Sequence, residues 1–467
     1  MIEKNVPQGS RKARPVMSCL LVAVVLSASF VTALQAELRL AVPLLVGSTA
    51  AVTAALAAAL YFGERGELAW SPAVILSVAF LLRLMFLFAP PQLSDDLYRY
   101  LWDGSAILRG SNPYAAAPSA VVPPPGLEAV HSMINHPEYV TIYPPAAQVF
   151  FAGGACLGGS IPGFKTFLVL LDLGLCALIV ALLRFVGRPP WMAVLYAWNP
   201  LPVLEIAGSG HVDGAGLTLF LGSFCLLMMA RRDTPDCGPP RWSVLLSGVL
   251  LAGACLVKLF PLVLAPLLFL LVPSSRRGHF VVGFLVALVA LIYPFLPELT
   301  NMVDSLSFYA RNWEFAGFAF TVLRAMTGSG TCARLILGAC FLVVCVVIYL
   351  RLAYLIGHGI TTVQAGRQAL GSCYAIAMAL LLLTPTLQPW YALSLAIFLP
   401  FSAGPAGLVL CWAVFLTYQV QIPYFILGQW TENLQVTAAV FLAPVTAFLA
   451  GRGTRGWGRA RGSGTPA

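Results

Sequence analysis

Two adjacent aspartates, Asp95 and Asp96, are the residues of this chain whose chemistry is easiest to assign. When a sugar hydroxyl attacks an anomeric carbon that carries a phosphate, a carboxylate can take the proton of that hydroxyl as a general base. The departing phosphate then needs cationic partners. Arg99, Lys258 and Arg311 are the candidate phosphate ligands, because the topology described below puts all three on the same side of a membrane.

The aspartates begin a polar segment that reads SDDLYRYLWDG over residues 94–104. Ser94 is a good N-cap, and Gly110 a natural helix end, so we predict a helix that runs to about Arg109. On that helix Asp96 and Asp103 are seven residues apart and share one face, which makes Asp103 a candidate substrate ligand. The alternative is a purely interfacial amphipathic helix, since its aromatic residues suit the headgroup region.

Further polar clusters interrupt apolar stretches of the chain, where ionisable groups are costly and often functional. For each cluster alone, a capping or helix-packing role remains an equal alternative. The candidate substrate-binding residues in these clusters are His211, Asp213, Gln388 and Trp390. Arg83 and Asp172 lie deeper in predicted spans, and we interpret them as a structural ion pair.

Composition identifies the class of protein. Of 467 residues, 59% are hydrophobic and only 10% are charged, whereas soluble domains carry about 25% charged residues. Because about 20 apolar residues cross a bilayer as a helix, the chain is predicted to be an all-α polytopic membrane protein of about 12 to 14 transmembrane helices. The net charge of +9 is spread over short loops, which indicates membrane topology rather than nucleic-acid binding.

Arginine placement predicts a cytoplasmic N-terminus and an even number of spans. The predicted organisation is a cytoplasmic segment over 1–16, one transmembrane catalytic domain over 17–450, and a basic, disordered cytoplasmic tail over 451–467. Two long outer loops over 90–144 and 298–331 interrupt the domain, and short interfacial helices are expected in the first. The spans are placed near 17–35, 41–62, 70–90, 164–184, 190–206, 212–230, 243–257, 259–273, 279–297, 333–351, 369–386, 390–402, 405–420 and 434–450.

The 11 cysteines lie mostly in apolar runs and show no metal-ligand spacing, so neither a disulfide framework nor a zinc site is predicted. No cofactor is required by the chemistry above. Adjacent aspartates could nevertheless hold Mg²⁺ or Mn²⁺ at a phosphate, and this possibility stays open.

The ordered motifs resemble those of a known group of enzymes. SDDLYRYLWDG at 94–104 is followed by NPY at 112–114 and TIYPPAAQ at 141–148, and then by WNPLPVLEIAGSGHVDG at 198–214, KLFP at 258–261 and TPTLQPWY at 384–391. This set is similar to bacterial GT-C class mannosyltransferases that depend on polyprenyl-phosphate mannose, and to glycosyltransferase family 87 and its relatives.

The resemblance implies a GT-C-like helix bundle in the cell membrane with its active site on the extracytoplasmic side. It implies inverting transfer of a hexose, with mannose favoured, from a polyprenyl-phosphate sugar to a glycan or lipid acceptor. Asp95 or Asp96 would be the catalytic base, and Tyr143 would join the substrate-binding residues. A transporter or flippase of lipid-linked substrates is the main alternative, and a lipid-modifying acyl- or phosphotransferase a third.

Overall fold

The protein is almost entirely helical, as predicted from its composition. The computed structural model describes residues 8–460 apart from 69, 234–239 and 403. Within those residues no β-strand forms, and the only β-type pairing is a pair of isolated bridges from Phe315 and Ala316 to Thr386. The all-α fold class is therefore confirmed.

The described residues of the first half of the chain form eleven α-helices. They are α1 (Gln8–Ala33), α2 (Val42–Glu64), α3 (Pro72–Leu87), α4 (Asp96–Leu108), α5 (Glu128–Ser132), α6 (Pro145–Ala155), α7 (Ile161–Phe185), α8 (Val194–Ala197), α9 (Pro200–Pro202), α10 (Asp213–Asp233) and α11 (Arg241–Val257).

The part of the second half that the structure describes forms eleven more. They are α12 (Phe260–Leu271), α13 (Arg277–Ile292), α14 (Leu299–Asn312), α15 (Phe318–Thr327), α16 (Gly330–Gly357), α17 (Thr362–Leu383), α18 (Leu393–Ala396), α19 (Leu399–Ser402), α20 (Pro405–Ala413), α21 (Gln421–Leu427) and α22 (Leu434–Ala460).

Seven helical segments of the described chain are long and apolar enough to cross a membrane, so the protein is a multi-pass membrane protein. They are Pro15–Ala33, Val42–Glu64, Ile161–Phe185, Ser274–Phe295, Gly330–Gly357, Thr362–Leu383 and Pro405–Leu427. An eighth span exists if Pro200–Gly208 and Asp213–Met228, bent by 120°, count together. Four shorter apolar helices, Pro72–Leu87, Arg241–Val257, Phe260–Leu271 and Leu434–Ala450, coincide with further predicted spans, and a fifth, Phe318–Thr327, lies in the second long loop.

Two predicted spans, near 190–206 and 390–402, are not continuous helices. The first consists of a 3₁₀ turn at Pro190–Ala193, then α8 and α9, then a π-helical turn at Val203–Gly208. The second consists of a 3₁₀ turn at Pro389–Ala392 followed by α18 and α19. Prolines in both segments remove backbone donors and break the helices. Both segments are mostly buried inside the bundle, so they fill its interior.

The helix ends that were predicted in the first long loop agree with the structure to within one residue. The acidic helix runs from Asp96 to Leu108, and Gly110 follows with a left-handed φ of 76°. The predicted cap is offset by one residue, since Asp95 precedes the helix while the Ser94 hydroxyl accepts from the Asp96 N–H at 3.3 Å. Beside it, α6 is only 11 residues long and does not cross a membrane. The second long loop holds α14 and α15.

The predicted chain ends lie partly outside the described residues. Residues 1–7 of the predicted N-terminal segment and 461–467 of the predicted tail are not described. The helix α22 continues to Ala460, past the boundary that was predicted at residue 451.

The predicted ion pair between Arg83 and Asp172 is confirmed. Arg83 Nε lies 2.8 Å from Asp172 Oδ2, and both side chains are 0% exposed. The Tyr196 hydroxyl donates to Asp172 Oδ1 at 2.5 Å, and Arg83 also donates to the carbonyl of Ala197. The pair thus ties α3 and α7 to the broken segment between them.

Candidate active site

The site is built around the N-terminus of α4, which presents Asp96. Its side chain is 25% exposed, so the carboxylate reaches open space. The hydroxyls of Tyr143 and Tyr100 lie 3.0 and 3.3 Å from Asp96 Oδ2 and 2.8 Å from each other. Because each phenol has one hydrogen, at least one of them donates to the carboxylate at any time while the other can donate to its neighbour. Tyr143 lies in the loop before α6. The two phenols therefore hold one orientation of the carboxylate.

Asp95 has a different environment. Burial and the adjacent charge of Asp96 raise the pKa of the Asp95 carboxyl, while Arg39 lowers it. Arg39 comes from the loop between α1 and α2, where it pairs with Glu37 at 2.7 Å and stacks on Phe425. The positive charge of Arg39 therefore acts on Asp95.

Behind Asp96, the bend between Gly208 and α10 carries a fully buried histidine, His211. Its Nε2 lies 3.2 Å from Ser94 Oγ and 3.8 Å from Asp96 Oδ2. Its ring stacks on Trp390 with 4.1 Å between the ring centroids. Gly210 permits this bend, because its φ of 80° is left-handed and an added Cβ would meet the Leu97 side chain.

A cation approaches from the opposite side of the site. Lys258 lies at the break between α11 and α12, where its backbone is extended. Its ammonium is 3.1 Å from Asp213 Oδ2, and it faces the rings of Tyr143 and Tyr391 at 5.3 and 5.4 Å. The Tyr391 hydroxyl is in turn bonded to Tyr309 at 2.6 Å. The ammonium is therefore partly exposed and aimed between aromatic faces.

Three cavities meet around these residues. The first, of about 340 Å³, is lined by Asp96, Lys258 and Tyr391 among others. The second, of about 450 Å³, is lined by Asp95, Asp96 and Arg39 among others. The third, of about 200 Å³, shares Lys258 and Tyr391 with the first and is otherwise mostly apolar. Among the described residues, Asp96 is the one carboxylate that lines both the first and the second cavity.

The predicted site residues are brought together with two exceptions. Asp103 is buried behind the first cavity, where Arg99 Nε bonds to it at 3.0 Å and Gln148 at 3.4 Å. Burial raises the pKa of Asp103, and Arg99 lowers it. We therefore interpret Asp103 as a residue that positions Arg99. Arg311 is exposed at the end of α14 and is not among the lining residues of the first or the second cavity.

The other predicted residues lie in the site. Arg99, Tyr143, Lys258, Gln388 and Trp390 all line the first cavity. Asp213 lines the third cavity, and His211 lies directly behind Trp390.

The sequence analysis left several residues of the site without a role. Tyr309 and His136 line the first cavity, Arg39 lines the second, and Glu205 and Tyr418 lie behind His211. Glu205 and His136 could have been selected as candidates from the sequence, since both are ionisable groups in or beside apolar segments. Nothing in the sequence distinguishes Tyr309, Tyr418 or Arg39 from other residues of their type.

No metal centre is formed by the part of the chain that the structure describes. It contains no group of three or more His, Cys, Asp or Glu side chains that could hold a metal ion. A divalent cation held jointly by the aspartates and a substrate phosphate stays a prediction, and activity with and without a chelator tests it.

Gly104 sets the distance between α4 and α6, and we predict that Gly104→Ala impairs activity. A Cβ at this position would overlap the backbone carbonyl of Phe151, so α4 must move away from α6. A displacement of about 1 Å at Asp96 is expected to lower the reaction rate about 100-fold. The matched control is Gly174→Ala in α7, where a Cβ meets no atom within 4 Å. Equal activity of the two variants would contradict this packing argument.

Comparison with known proteins adds one match. The family model described as MptA_B_family, Alpha-(1->6)-mannopyranosyltransferase, N-terminal domain, matches residues 12–274, which is more than half of the chain. No curated protein and no solved structure matches the chain. The matched region contains Asp96, His211 and Lys258 but ends before Trp390.

Proposed function

Because the chain belongs to the alpha-(1->6)-mannopyranosyltransferase family, we propose that it transfers mannose from a polyprenyl-phosphate carrier to a glycan acceptor, with Asp96 as the base. The family makes the protein a glycosyltransferase of the GT-C type, with a mannosyl donor and an acceptor, and its apolar helices place it in a lipid bilayer. The carrier, the acceptor, the base and the likeness to glycosyltransferase family 87 belong to the proposal.

One observation carries the assignment of the base. Asp96 is the carboxylate of the described chain that the first and second cavities share, and its Oδ2 lies within hydrogen-bond distance of two phenols. Two substrates bound in the two cavities would therefore meet at this carboxylate. A general base must lie within hydrogen-bond reach of the proton that it removes, and Asp96 meets that condition from either cavity. Asp95 lines the second cavity alone.

The position of Lys258 supports the proposal that a lipid-phosphate donor binds on the side of the first cavity. Its ammonium marks the place where the first cavity meets the third, and Leu217, Phe260 and Leu381 are among the apolar residues that line the third. A phosphate at Lys258 would gain a charge-assisted hydrogen bond. The polyprenyl chain would then lie along the apolar cavity, while the mannose would point towards Asp96.

The reaction then proceeds as an inverting displacement. The acceptor hydroxyl attacks C1 of mannose from the face opposite the phosphate, and Asp96 receives the hydroxyl proton. The C1–O bond to phosphate breaks, and its electron pair leaves with the polyprenyl phosphate towards Lys258. Since the family name specifies an α product, inversion requires a β-linked donor. A donor with the α linkage that reacts equally well would contradict the inverting step.

We place the site on the extracytoplasmic side of the cell membrane. The support is the distribution of arginine and lysine over the loops, which assigns the segment before α4 to the outside. Labelled donor offered to sealed vesicles of known orientation tests this side. A parallel assay with a nucleotide sugar, in membranes depleted of the lipid donor, tests the carrier. Transfer from the nucleotide sugar under those conditions would refute the polyprenyl-phosphate proposal.

Lys258→Met is expected to raise the KM for the lipid-phosphate donor about 10- to 100-fold, because a charge-assisted hydrogen bond to phosphate is lost. The KM for the acceptor should stay the same. Steady-state kinetics of the purified protein with both substrates varied gives the two constants. Arg241→Met, at the opposite end of the same helix and exposed, is the matched control. A change confined to the acceptor KM would reverse the assignment of the cavities.

A further inference from the structure

Behind Asp96 lies a second carboxylate that the mechanism above does not use, and His211 stands between the two. Glu205 and His211 are both 0% exposed. His211 Nδ1 is 3.1 Å from the carbonyl oxygen of Glu205 and 3.2 Å from its Oε2. On the opposite edge of the ring, Nε2 faces Ser94 and Asp96. A carboxylate, an imidazole and a second carboxylate therefore stand in a row.

The hydrogen-bond partners fix which nitrogen of His211 carries the hydrogen when the ring is neutral. The Glu205 carbonyl oxygen can only accept, so Nδ1 must donate to it. The lone pair of the neutral imidazole is then on Nε2. It points to the Ser94 hydroxyl at 3.2 Å and to Asp96 Oδ2 at 3.8 Å. His211 is thus set to receive a proton from the side of Asp96.

The surroundings of His211 suit a ring that gains a positive charge. Glu205 Oε1 accepts from the Tyr418 hydroxyl at 2.8 Å, whereas Oε2 accepts no hydrogen bond from any described residue and faces the imidazole. A buried carboxylate oxygen without a partner is costly unless a positive charge lies beside it. The Trp390 ring stacked on His211 also favours a cation.

Other titratable groups lie one contact further away. Tyr100 and Tyr143 bond to Asp96, Tyr418 bonds to Glu205, and Lys258 pairs with Asp213.

We propose that His211, supported by Glu205, is the terminal proton acceptor of the transfer, an inference that rests on the proposed function. The acceptor hydroxyl gives its proton to Asp96 as the new C1–O bond forms and the bond to phosphate breaks. The proton then moves from Asp96 Oδ2 to His211 Nε2 through the Ser94 hydroxyl, which takes up one proton as it gives up another, because the 3.8 Å between the two atoms is too long for a direct hydrogen bond. Asp96 is a carboxylate again, and the imidazolium donates to Glu205. When the product leaves, the proton returns to water through the opened cavity.

The chemistry explains why a second base helps. A carboxylate is ordinarily a weak base for a hydroxyl proton, whereas an imidazole titrates close to the pH at which most enzymes work. A carboxylate behind the imidazole sets its tautomer and stabilises its charged form, as in other base–orienter pairs. While both cavities are filled by substrates, the buried His211, with Nε2 3.8 Å from Asp96 Oδ2, is a base that can hold the proton.

The test uses Glu205→Gln, His211→Gln and the double variant in the full-length protein in lipid nanodiscs. The substrates are β-linked polyprenyl-phosphate mannose and an α-(1→6)-linked mannose oligosaccharide. Each single variant is expected to lower kcat about 100-fold with both KM values unchanged. The double variant should lose no more than the singles, because the pair acts as a unit. Glu64→Gln and His358→Gln, both exposed, are the controls.

The pH profile separates a proton acceptor from a merely structural histidine. The rate of the wild-type protein should fall towards acid pH in a step that His211→Gln lacks. Wild-type kcat in both single variants, with Asp96→Asn inactive, would overturn this proposal and leave the proposed function standing. Activity in Asp96→Asn would refute the proposed function itself. If His211→Gln fails to fold, Glu205→Gln decides, since it keeps the volume and the bond from Tyr418.

Discussion

Replacing Asp96 by asparagine is expected to lower kcat about 1,000-fold while the protein still folds and enters the membrane. Asparagine has the same size, and its amide oxygen still accepts a hydrogen bond from the phenols, whose hydroxyls lie 3.0 and 3.3 Å from the carboxylate oxygen. What it lacks is the ability to take a proton. The donor and acceptor KM values should therefore change little, because binding in the two cavities does not depend on that ability.

Asp95→Asn is the matched control for this experiment. Asp95 is the adjacent carboxylate, yet it lines the second cavity alone and faces Arg39 rather than the phenols. Its loss should weaken acceptor binding at most and leave kcat close to that of the wild type. A loss of kcat in Asp95→Asn as large as in Asp96→Asn would contradict the assignment of a single base. Full activity in both variants would eliminate the acidic pair as the source of the base.

The sequence predicted the helix that carries the site because its signals are local. Ser94, the acidic residues after it and Gly110 bound the helix within one residue at each end. The side-chain pairs on it also follow from spacing alone, since residues four apart lie on one face. Arg99–Asp103 and Asp96–Tyr100 are both such pairs. Spacing alone did not show that Asp103 is buried behind the cavity, where it bonds to Arg99.

The broken segments show where a hydropathy pattern fails. Residues 190–206 and 390–402 are apolar enough to be predicted as spans, because a segment buried in the bundle is also rich in apolar residues. The prolines in these two segments indicated that the helices could be broken. Proline also occurs within long helices of this chain, however, as Pro444 does in α22. Only tertiary packing decides between a kinked helix and a series of short turns.

The contacts of His211 and Glu205 behind Asp96 could not be predicted, for a different reason. Glu205 meets Tyr418 across 213 positions of sequence, and His211 meets Ser94 across 117. No periodicity links such residues. The sequence analysis selected His211 and Asp213 together because they are neighbours in the chain. In the structure they diverge, since His211 turns towards Asp96 and Asp213 towards Lys258.

The largest expected effect on stability belongs to the buried pair of Arg83 and Asp172. Arg83→Met leaves the carboxylate of Asp172 in the interior with only the Tyr196 hydroxyl beside it. Breaking a buried pair in this way is expected to lower the free energy of unfolding by about 3–5 kcal/mol. Chemical denaturation of the purified protein in detergent, with the wild type measured alongside, gives this difference.

The double variant Arg83→Met, Asp172→Leu removes both charges, and it should recover most of the lost stability because no unpaired charge remains. Its transfer rate per folded molecule should equal that of the wild type, since neither residue lines the cavities around Asp96. A double variant that is folded and stable but inactive would contradict the structural role. It would show that the charges act on the site, through the segment from Ala197 to His211 that Arg83 holds at its start.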